Sequence, residues 1–113
     1  MNLEQLAREH CQPRKGAEHA LDSARIETLL RELPGWAAAT DGKEISKDFR
    51  FPDFHRTIGF VNALAWVANG EDHHPDLEVG YGHCRVRWST HDVGGLSLND
   101  FICAAKTELL LKN

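Results

Sequence analysis

Apolar residues recur at helical spacing from residue 21 onward, and the first such run predicts a helix. Asp22 precedes the run and is suited to cap it, because a carboxylate accepts hydrogen bonds from the free N–H groups of the first turn. The dipeptide Pro34-Gly35 ends the helix. Its apolar stripe consists of Ile26, Leu29, Leu30 and Leu33.

A hairpin is predicted next, with strands over residues 36–40 and 45–51 joined by a turn at Asp41-Gly42. Apolar and polar residues alternate along the second strand, so one of its faces is expected in the core. The residues predicted on that face are Ile45, Phe49 and Phe51.

A second helix is predicted to begin at Pro52-Asp53 and to end at Asn69-Gly70. Its apolar arc is wide, and we therefore expect this helix to be the most buried one. The predicted stripe is Phe54, Ile58, Val61, Ala65 and Ala68, widened by Phe60, Leu64 and Val67.

A second hairpin and a last helix complete the pattern. Alternating apolar positions over residues 77–81 and 84–88 predict two strands on either side of Gly82-His83. Ser97, followed three positions later by Asp100, predicts a capped helix start. The order α-β-β-α-β-β-α is typical of an α+β fold, in which a four-stranded antiparallel sheet carries three helices on one face.

Residues 1–20 show no sustained apolar period, so we expect an N-terminal extension followed by a single domain over residues 21–113. The net charge of −4 argues against a module that binds nucleic acid, since such modules usually carry a basic surface. No apolar run approaches the ~20 residues of a membrane span, so no membrane association is expected.

Three cysteines, Cys11, Cys84 and Cys103, imply no disulfide framework, which favours a reducing, cytoplasmic location. Neither Cys11 nor Cys103 has another thiol nearby in the sequence. Metal-binding pairs such as H-E-x-x-H and C-x-x-C are absent, and no metal site is expected. A zinc site built from three histidines is the alternative, although two adjacent ligands in a short loop seldom reach one tetrahedral centre.

The densest polar cluster is the loop from Glu71 to Asp76, between a helix and a strand, where loops commonly carry function. Pro75 keeps His74 out of the helical region, so His73 and His74 can face different sides of a ligand. The alternative is a pair of solvated loop histidines.

A second polar cluster, Ser89-Thr90-His91-Asp92, follows the fourth strand. The hairpin brings the outer ends of its strands together, so His91 is expected near the first cluster. The alternative for His91 is a strand-end residue bonded to a backbone carbonyl.

The segment from Asp72 to Asp100 resembles the signature of the pterin-4a-carbinolamine dehydratase family. The resemblance covers about residues 21–112 and extends to Gly35-Trp36 and to the start of the last helix. The family often has an acidic residue where this chain has Asn69, and Glu71 lies close enough to substitute in part. The signature positions are His73-His74-Pro75, Tyr81, His91 and Asp100.

The resemblance implies a lyase that dehydrates 4a-hydroxytetrahydropterin to quinonoid dihydropterin in tetrahydrobiopterin recycling, with no metal and no organic cofactor. It implies acid and base roles for His73 and His74, with His91 completing the pocket. Asp100 either orients an imidazole or only serves the helix start, and Trp36 is either a pocket wall or a core aromatic. The implied substrate-binding residues are Asp72, His73, His74, Ser89, Thr90, His91 and Asp92.

The resemblance also implies partners. A homodimer or homotetramer is expected, together with functional coupling to an aromatic amino acid hydroxylase. The alternation in residues 85–88 is compatible with pairing at a sheet edge. The alternative to an enzyme is a binding protein that, like some members of the family, stabilises a transcription factor through a surface helix or a sheet edge.

Overall fold

The computed structural model describes residues 1–112, so the predicted domain end at residue 113 lies outside the described residues. Its helices are α1 (Leu3–Arg8), α2 (Ser23–Leu30), α3 (Phe54–Glu71) and α4 (Leu98–Leu109). Its strands are β1 (Ala37–Ala38), β2 (Ile45–Arg50), β3 (Asp76–Val79) and β4 (His83–Trp88). Short 3₁₀ turns span Ala17–His19 and His91–Val93.

The four strands form one antiparallel sheet in the order β1-β2-β4-β3. On one face, side chains such as Phe49 and Cys84 are buried, and α3 and α4 pack against β4. The other face carries polar side chains such as Arg85 and Arg87. The α+β fold with an antiparallel four-stranded sheet is confirmed. The suggestion that residues 85–88 form a sheet edge is wrong, because β4 lies between β2 and β3.

Local capping signals set the helix starts as predicted. The carboxylate of Asp22 accepts a hydrogen bond from the N–H of Arg25 at 2.8 Å, and Asp53 caps α3 in the same way at 2.8 Å. At the start of α4, the N–H of Ser97 donates to Asp100 at 3.0 Å, which completes the capping box. These starts depend only on residues close in sequence.

The buried face of α3 differs from the predicted stripe. Of the predicted positions Phe60, Leu64 and Ala68 are buried, whereas the rest of the predicted stripe is not, and Phe54 is 49% exposed. Thr57 enters the core because its hydroxyl lies 2.8 Å from the carbonyl of Asp53 and 2.9 Å from that of Tyr81, so that its polar atom is satisfied. The buried residues of α3 are Thr57, Phe60, Leu64 and Ala68.

The expectation that α3 is the most buried helix is also wrong. Eight of the twelve residues of α4 are buried, compared with four of the eighteen residues of α3. α4 lies between the sheet and α1, whereas α3 leaves residues such as Trp66 in solvent, 83% exposed. The core is therefore centred on α4.

The end of α3 lies beyond the predicted stop. Asn69-Gly70 remains helical, and Asp72 takes the left-handed conformation with φ 51°. Asp adopts this conformation more readily than most residues, because its short polar side chain can hydrogen-bond to nearby backbone. The chain then turns directly into the histidine loop.

The N-terminal segment contains a helix that the apolar pattern did not predict. In α1, Asn2 and Gln5 form a capping box, and Leu6 is fully buried against the core. Among residues 1–112, no helix combines the length and the apolar character needed to cross a bilayer.

Candidate active site

The two predicted polar clusters meet at one cleft. The left-handed turn at Asp72 directs one cluster to this cleft, and the end of β4 supplies the other. The cleft has a volume of about 260 Å³. It is lined by Asp72, His73, His74, Ser89, Thr90, His91 and Asp92, so the structure brings together every residue that the sequence suggested for substrate binding.

His73 is the most firmly held of these side chains. Its Nε2 lies 2.6 Å from Oδ1 of Asp100, and the side chain is 13% exposed. The imidazole also stacks on the indole of Trp88, with centroids 5.6 Å apart and planes inclined by 11°. The backbone N–H donates to the carbonyl of Ala68 at 3.2 Å. The backbone and the imidazole ring of His73 are thus both held in place. Proton transfer by a positioned side chain requires such an arrangement.

Asp100 is fully buried, and the structure supplies donors to both of its oxygens. Besides His73, the hydroxyl of Thr90 donates to Oδ2 at 2.7 Å and the N–H of Ser97 donates to Oδ2 at 3.0 Å. The carboxylate also lies in the first turn of α4, where the helix dipole favours negative charge. Three donors and the helix end stabilise an ionised Asp100 in a site without solvent.

The Asp100 contact selects one tautomer of His73. An ionised carboxylate only accepts hydrogen bonds, so Nε2 of His73 must carry a proton. In the neutral imidazole, Nδ1 is then the nitrogen that can accept a proton or a hydrogen bond. The sequence suggested that Asp100 could orient a histidine, and the structure places it in contact with His73.

His74 and His91 have looser surroundings. Nε2 of His74 lies 3.0 Å from Oδ1 of Asn69, and this pair is exposed. His91 is exposed at the first position of the 3₁₀ turn after β4. Asn69 therefore contacts His74, but its amide does not supply the negative charge that an acidic residue at this position would supply. Glu71, suggested as a partial substitute, points instead toward the N-terminal segment.

A second cavity of about 260 Å³ lies beside the first, and sequence reasoning missed it. Asp72, His73, Thr90 and Asp92 line both cavities, and residues 11–15 form the far wall of the second. Polar contacts hold these N-terminal residues in place, so their position leaves no apolar periodicity in the sequence from which the cavity could be predicted.

Glu71 anchors this wall. Burial raises the pKa of its carboxyl, but hydrogen bonds from the N–H of Cys11 and from His10, together with the charge of Lys106, outweigh burial and hold the pKa below its ordinary value. The distances are 2.7 Å to the Cys11 nitrogen and 2.8 Å to Nδ1 of His10. The Glu71 side chain is 10% exposed.

Other candidate residues lie elsewhere. Trp36 is buried, and its Nε1 donates to Glu108 at 2.8 Å. Glu108 lies eight residues after Asp100 on α4, about 12 Å along the helix axis at 1.5 Å per residue. The sequence left two roles open for Trp36, a pocket wall or a core aromatic. In the structure Trp36 is a core aromatic.

The cysteines also differ from the sequence expectation. Sγ of Cys11 lies 3.4 Å from Sγ of Cys103, although neither cysteine has another thiol nearby in the sequence. Burial raises the pKa of the Cys84 thiol to about 11. Within residues 1–112, no three His, Cys, Asp or Glu side chains are grouped so that they could hold a metal ion.

Comparisons with known proteins agree with this fold. The sequence profile of the family described as "Pterin 4 alpha carbinolamine dehydratase" matches residues 19–110. A protein of Xanthomonas oryzae pv. oryzae (strain PXO99A) named "Putative pterin-4-alpha-carbinolamine dehydratase" is 60% identical over 105 residues, covering 93% of this chain and 89% of that protein. A protein of the same name from Stenotrophomonas maltophilia (strain K279a) is 58% identical, covering 93% of this chain and 90% of that protein.

Two solved structures are similar. The crystal structure of a transcriptional coactivator/pterin dehydratase from Brucella melitensis has a TM-score of 0.77 and 30% identity, covering 80% of this chain and 96% of that one. A pterin dehydratase-like protein described as a RuBisCO assembly factor has a TM-score of 0.60 and 20% identity, covering 70% of this chain and 92% of that one, and supports the fold alone. The profile match and the curated relatives show that the chain belongs to the pterin-4-alpha-carbinolamine dehydratase family.

Proposed function

We propose that this protein dehydrates 4a-hydroxytetrahydropterin to quinonoid dihydropterin and water, by acid and base catalysis with histidines and without a metal. The observation that carries the proposal is the contact between His73 and the buried Asp100, at the wall of a cleft that also holds His74 and His91. Membership of the family supports the substrate class.

The reaction needs two proton transfers and no redox step. A proton added to the 4a-hydroxyl lets water leave with the electron pair of the C–O bond. The lone pair of N5 forms the C4a=N5 double bond, and a ring N–H proton passes to a base. Histidine suits both transfers, because its ordinary pKa lies near neutrality.

We assign these tasks to a largely buried histidine and an exposed one. His73, held by Asp100, keeps one nitrogen protonated toward the carboxylate and leaves Nδ1 for the substrate. A proton arriving at Nδ1 gives an imidazolium beside a carboxylate, which stabilises that charge. We therefore assign His73 as the base. His74 or His91, both exposed, supplies the proton to the leaving hydroxyl.

The remaining lining residues suit the polar edge of a pterin. Its amino group and ring N–H groups donate hydrogen bonds, and the carboxylates of Asp72 and Asp92 accept them. Ser89 and Thr90 add hydroxyl groups to the same cleft. The cleft volume of about 260 Å³ suits one bicyclic ring better than a macromolecule.

We also propose that the protein is a homo-oligomer that uses the edge of β3. This strand ends the sheet, and its last residue, Val79, is 43% exposed. An unpaired strand edge offers free N–H and C=O groups that can pair with a strand of a second chain. Sedimentation equilibrium at micromolar concentration is expected to show a mass of at least two chains, and a species of one chain's mass, 12.7 kDa, would contradict it.

The proposed activity is tested by generating 4a-hydroxytetrahydropterin in place with a pterin-dependent aromatic amino acid hydroxylase. Quinonoid dihydropterin is followed by its absorbance, with and without this protein, in EDTA. Acceleration that persists in EDTA is the expected result. Absence of acceleration by folded protein would reject the activity and favour a binding role, and acceleration that EDTA abolishes would reject the metal-free mechanism.

A further inference from the structure

We propose that residues 12–15 form a subsite for the substituent at C6 of the substrate pterin, and that this subsite prefers substituents that carry oxygen. The proposal rests on the proposed dehydration of a pterin. It concerns the second cavity, which lies beyond His73 and Thr90 and is closed by the N-terminal segment. The family profile begins at residue 19, after this segment.

The wall of this subsite is built around one buried amide. Asn99 is 5% exposed, and its Oδ1 accepts hydrogen bonds from the N–H of Gln12 at 3.1 Å and from Nε of Arg14 at 2.9 Å. Its Nδ2 donates to the carbonyl of Gln12 at 2.7 Å. A buried amide with three satisfied contacts fixes the path of the backbone. Asn99 directly precedes Asp100, so the same helical turn holds both the wall and His73.

Both ends of the segment are also anchored. At one end the N–H of Cys11 donates to Glu71 at 2.7 Å, and at the other the N–H of Gly16 donates to the carbonyl of Asp92 at 3.0 Å. Glu71 ends α3, and Asp92 follows β4, so the segment crosses from one side of the site to the other. The segment is thus a preformed wall.

The covalent structure of a pterin places a C6 substituent near this wall. C6 is bonded to N5, and N5 is bonded to C4a, the carbon that loses the hydroxyl. A substituent at C6 therefore starts beside the reacting bond. His73 contributes to both cavities, so a pterin that reacts at His73 has its C6 substituent close to the boundary between them.

The chemistry of the wall selects the substituent. Gln12, Arg14 and Lys15 line the cavity and bring N–H donors. The carboxylate of Glu71, which also lines it, is already bonded to the Cys11 N–H and to His10. A hydroxyl group can accept from these donors and donate to the carboxylates of Asp72 and Asp92, which line the same cavity, whereas a methyl group can do neither.

The test compares two substrates that differ only at C6, one with a dihydroxypropyl group and one with a methyl group. In Arg14→Ala, the KM for the dihydroxypropyl substrate is expected to rise about tenfold, since a hydrogen bond to a charged group contributes that order of affinity. The KM for the methyl substrate and both kcat values are expected to stay within twofold. Arg25→Ala, on the exposed surface of α2, is the matched control.

A second variant covers the case in which Arg14→Ala is unstable. Lys15 is an exposed residue of the cavity wall, and Lys15→Ala is expected to raise KM selectively for the dihydroxypropyl substrate as well. Equal changes with both substrates, or no change, would overturn the subsite while leaving the dehydratase activity intact. A wild-type protein that accelerates neither substrate would instead reject the proposed function and the subsite with it.

Discussion

Replacing Asp100 with Asn removes one acceptor from a buried network while keeping the shape of the side chain. The carboxylate accepts from His73 Nε2 at 2.6 Å, from the Thr90 hydroxyl at 2.7 Å and from the Ser97 N–H at 3.0 Å. An amide has one acceptor oxygen and one NH₂ donor. At least one of these three groups therefore loses its acceptor or must reverse its role.

Each orientation of the new amide has a definite cost. If its nitrogen faces Ser97, a buried N–H loses its acceptor, which costs about 1–3 kcal/mol of unfolding free energy. If its nitrogen faces His73, Nε2 must become an acceptor, and the proton moves to Nδ1, the nitrogen assigned to the substrate. In either orientation the negative charge that stabilises the His73 imidazolium is lost, so we expect Asp100→Asn to lower kcat by at least about 10²-fold, the low end for loss of acid–base catalysis.

The assay is dehydration of 4a-hydroxytetrahydropterin generated in place, with urea unfolding and ¹⁵N shifts of His73 on the same preparations. The control is Asp53→Asn, since Asn caps a helix about as well as Asp, and this change should alter neither rate nor stability. A folded Asp100→Asn protein with the wild-type rate would refute the reasoning, whichever tautomer His73 adopts.

Three further predictions concern other contacts. Because the folded pKa of Glu71 is lowered, its ionised form adds stability above its ordinary pKa, and this stability is lost as pH falls through the folded value. Glu71→Gln should therefore lower the urea-unfolding free energy by ~1 kcal/mol at pH 7 and by progressively less as pH falls below the ordinary pKa, whereas exposed Glu27→Gln should leave it unchanged. Trp36→Phe should lower the melting temperature but leave kcat/KM within twofold, and a lost rate would place Trp36 in the site. The thiolate is the form that reacts, so a pKa of about 11 should slow alkylation of Cys84 at pH 8 by ~10² relative to the unfolded chain. Peptide mass spectrometry measures the two rates, and equal rates would contradict the burial of Cys84.

The sequence predicted best what short-range chemistry determines. Asp22, Asp53 and Ser97 cap helices as predicted, because each bonds to an N–H two or three residues away. The cleft was also predictable in outline. A hairpin returns the end of β4 to the start of β3, so residues after one strand must lie near residues before the other.

What the sequence did not predict depends on contacts between distant segments. The burial of Thr57 in α3 was not predicted, because it depends on the carbonyl of Tyr81, 24 positions away, which satisfies its hydroxyl. The thiols of Cys11 and Cys103 are 92 positions apart and meet only because α1 and the following segment pack along α4. The second cavity was missed for the same reason, since Asn99 holds Gln12 and Arg14 by polar contacts without an apolar pattern.

The central claim, that His73 carries the proton transfer, is tested most directly by His73→Ala in the dehydration assay. His55→Ala is the matched control, because His55 is an exposed histidine on the first turn of α3 and does not line the cleft. The account predicts that His73→Ala loses at least about 10²-fold in kcat while remaining folded and that His55→Ala keeps the wild-type rate. A folded His73→Ala protein with near wild-type kcat would contradict it.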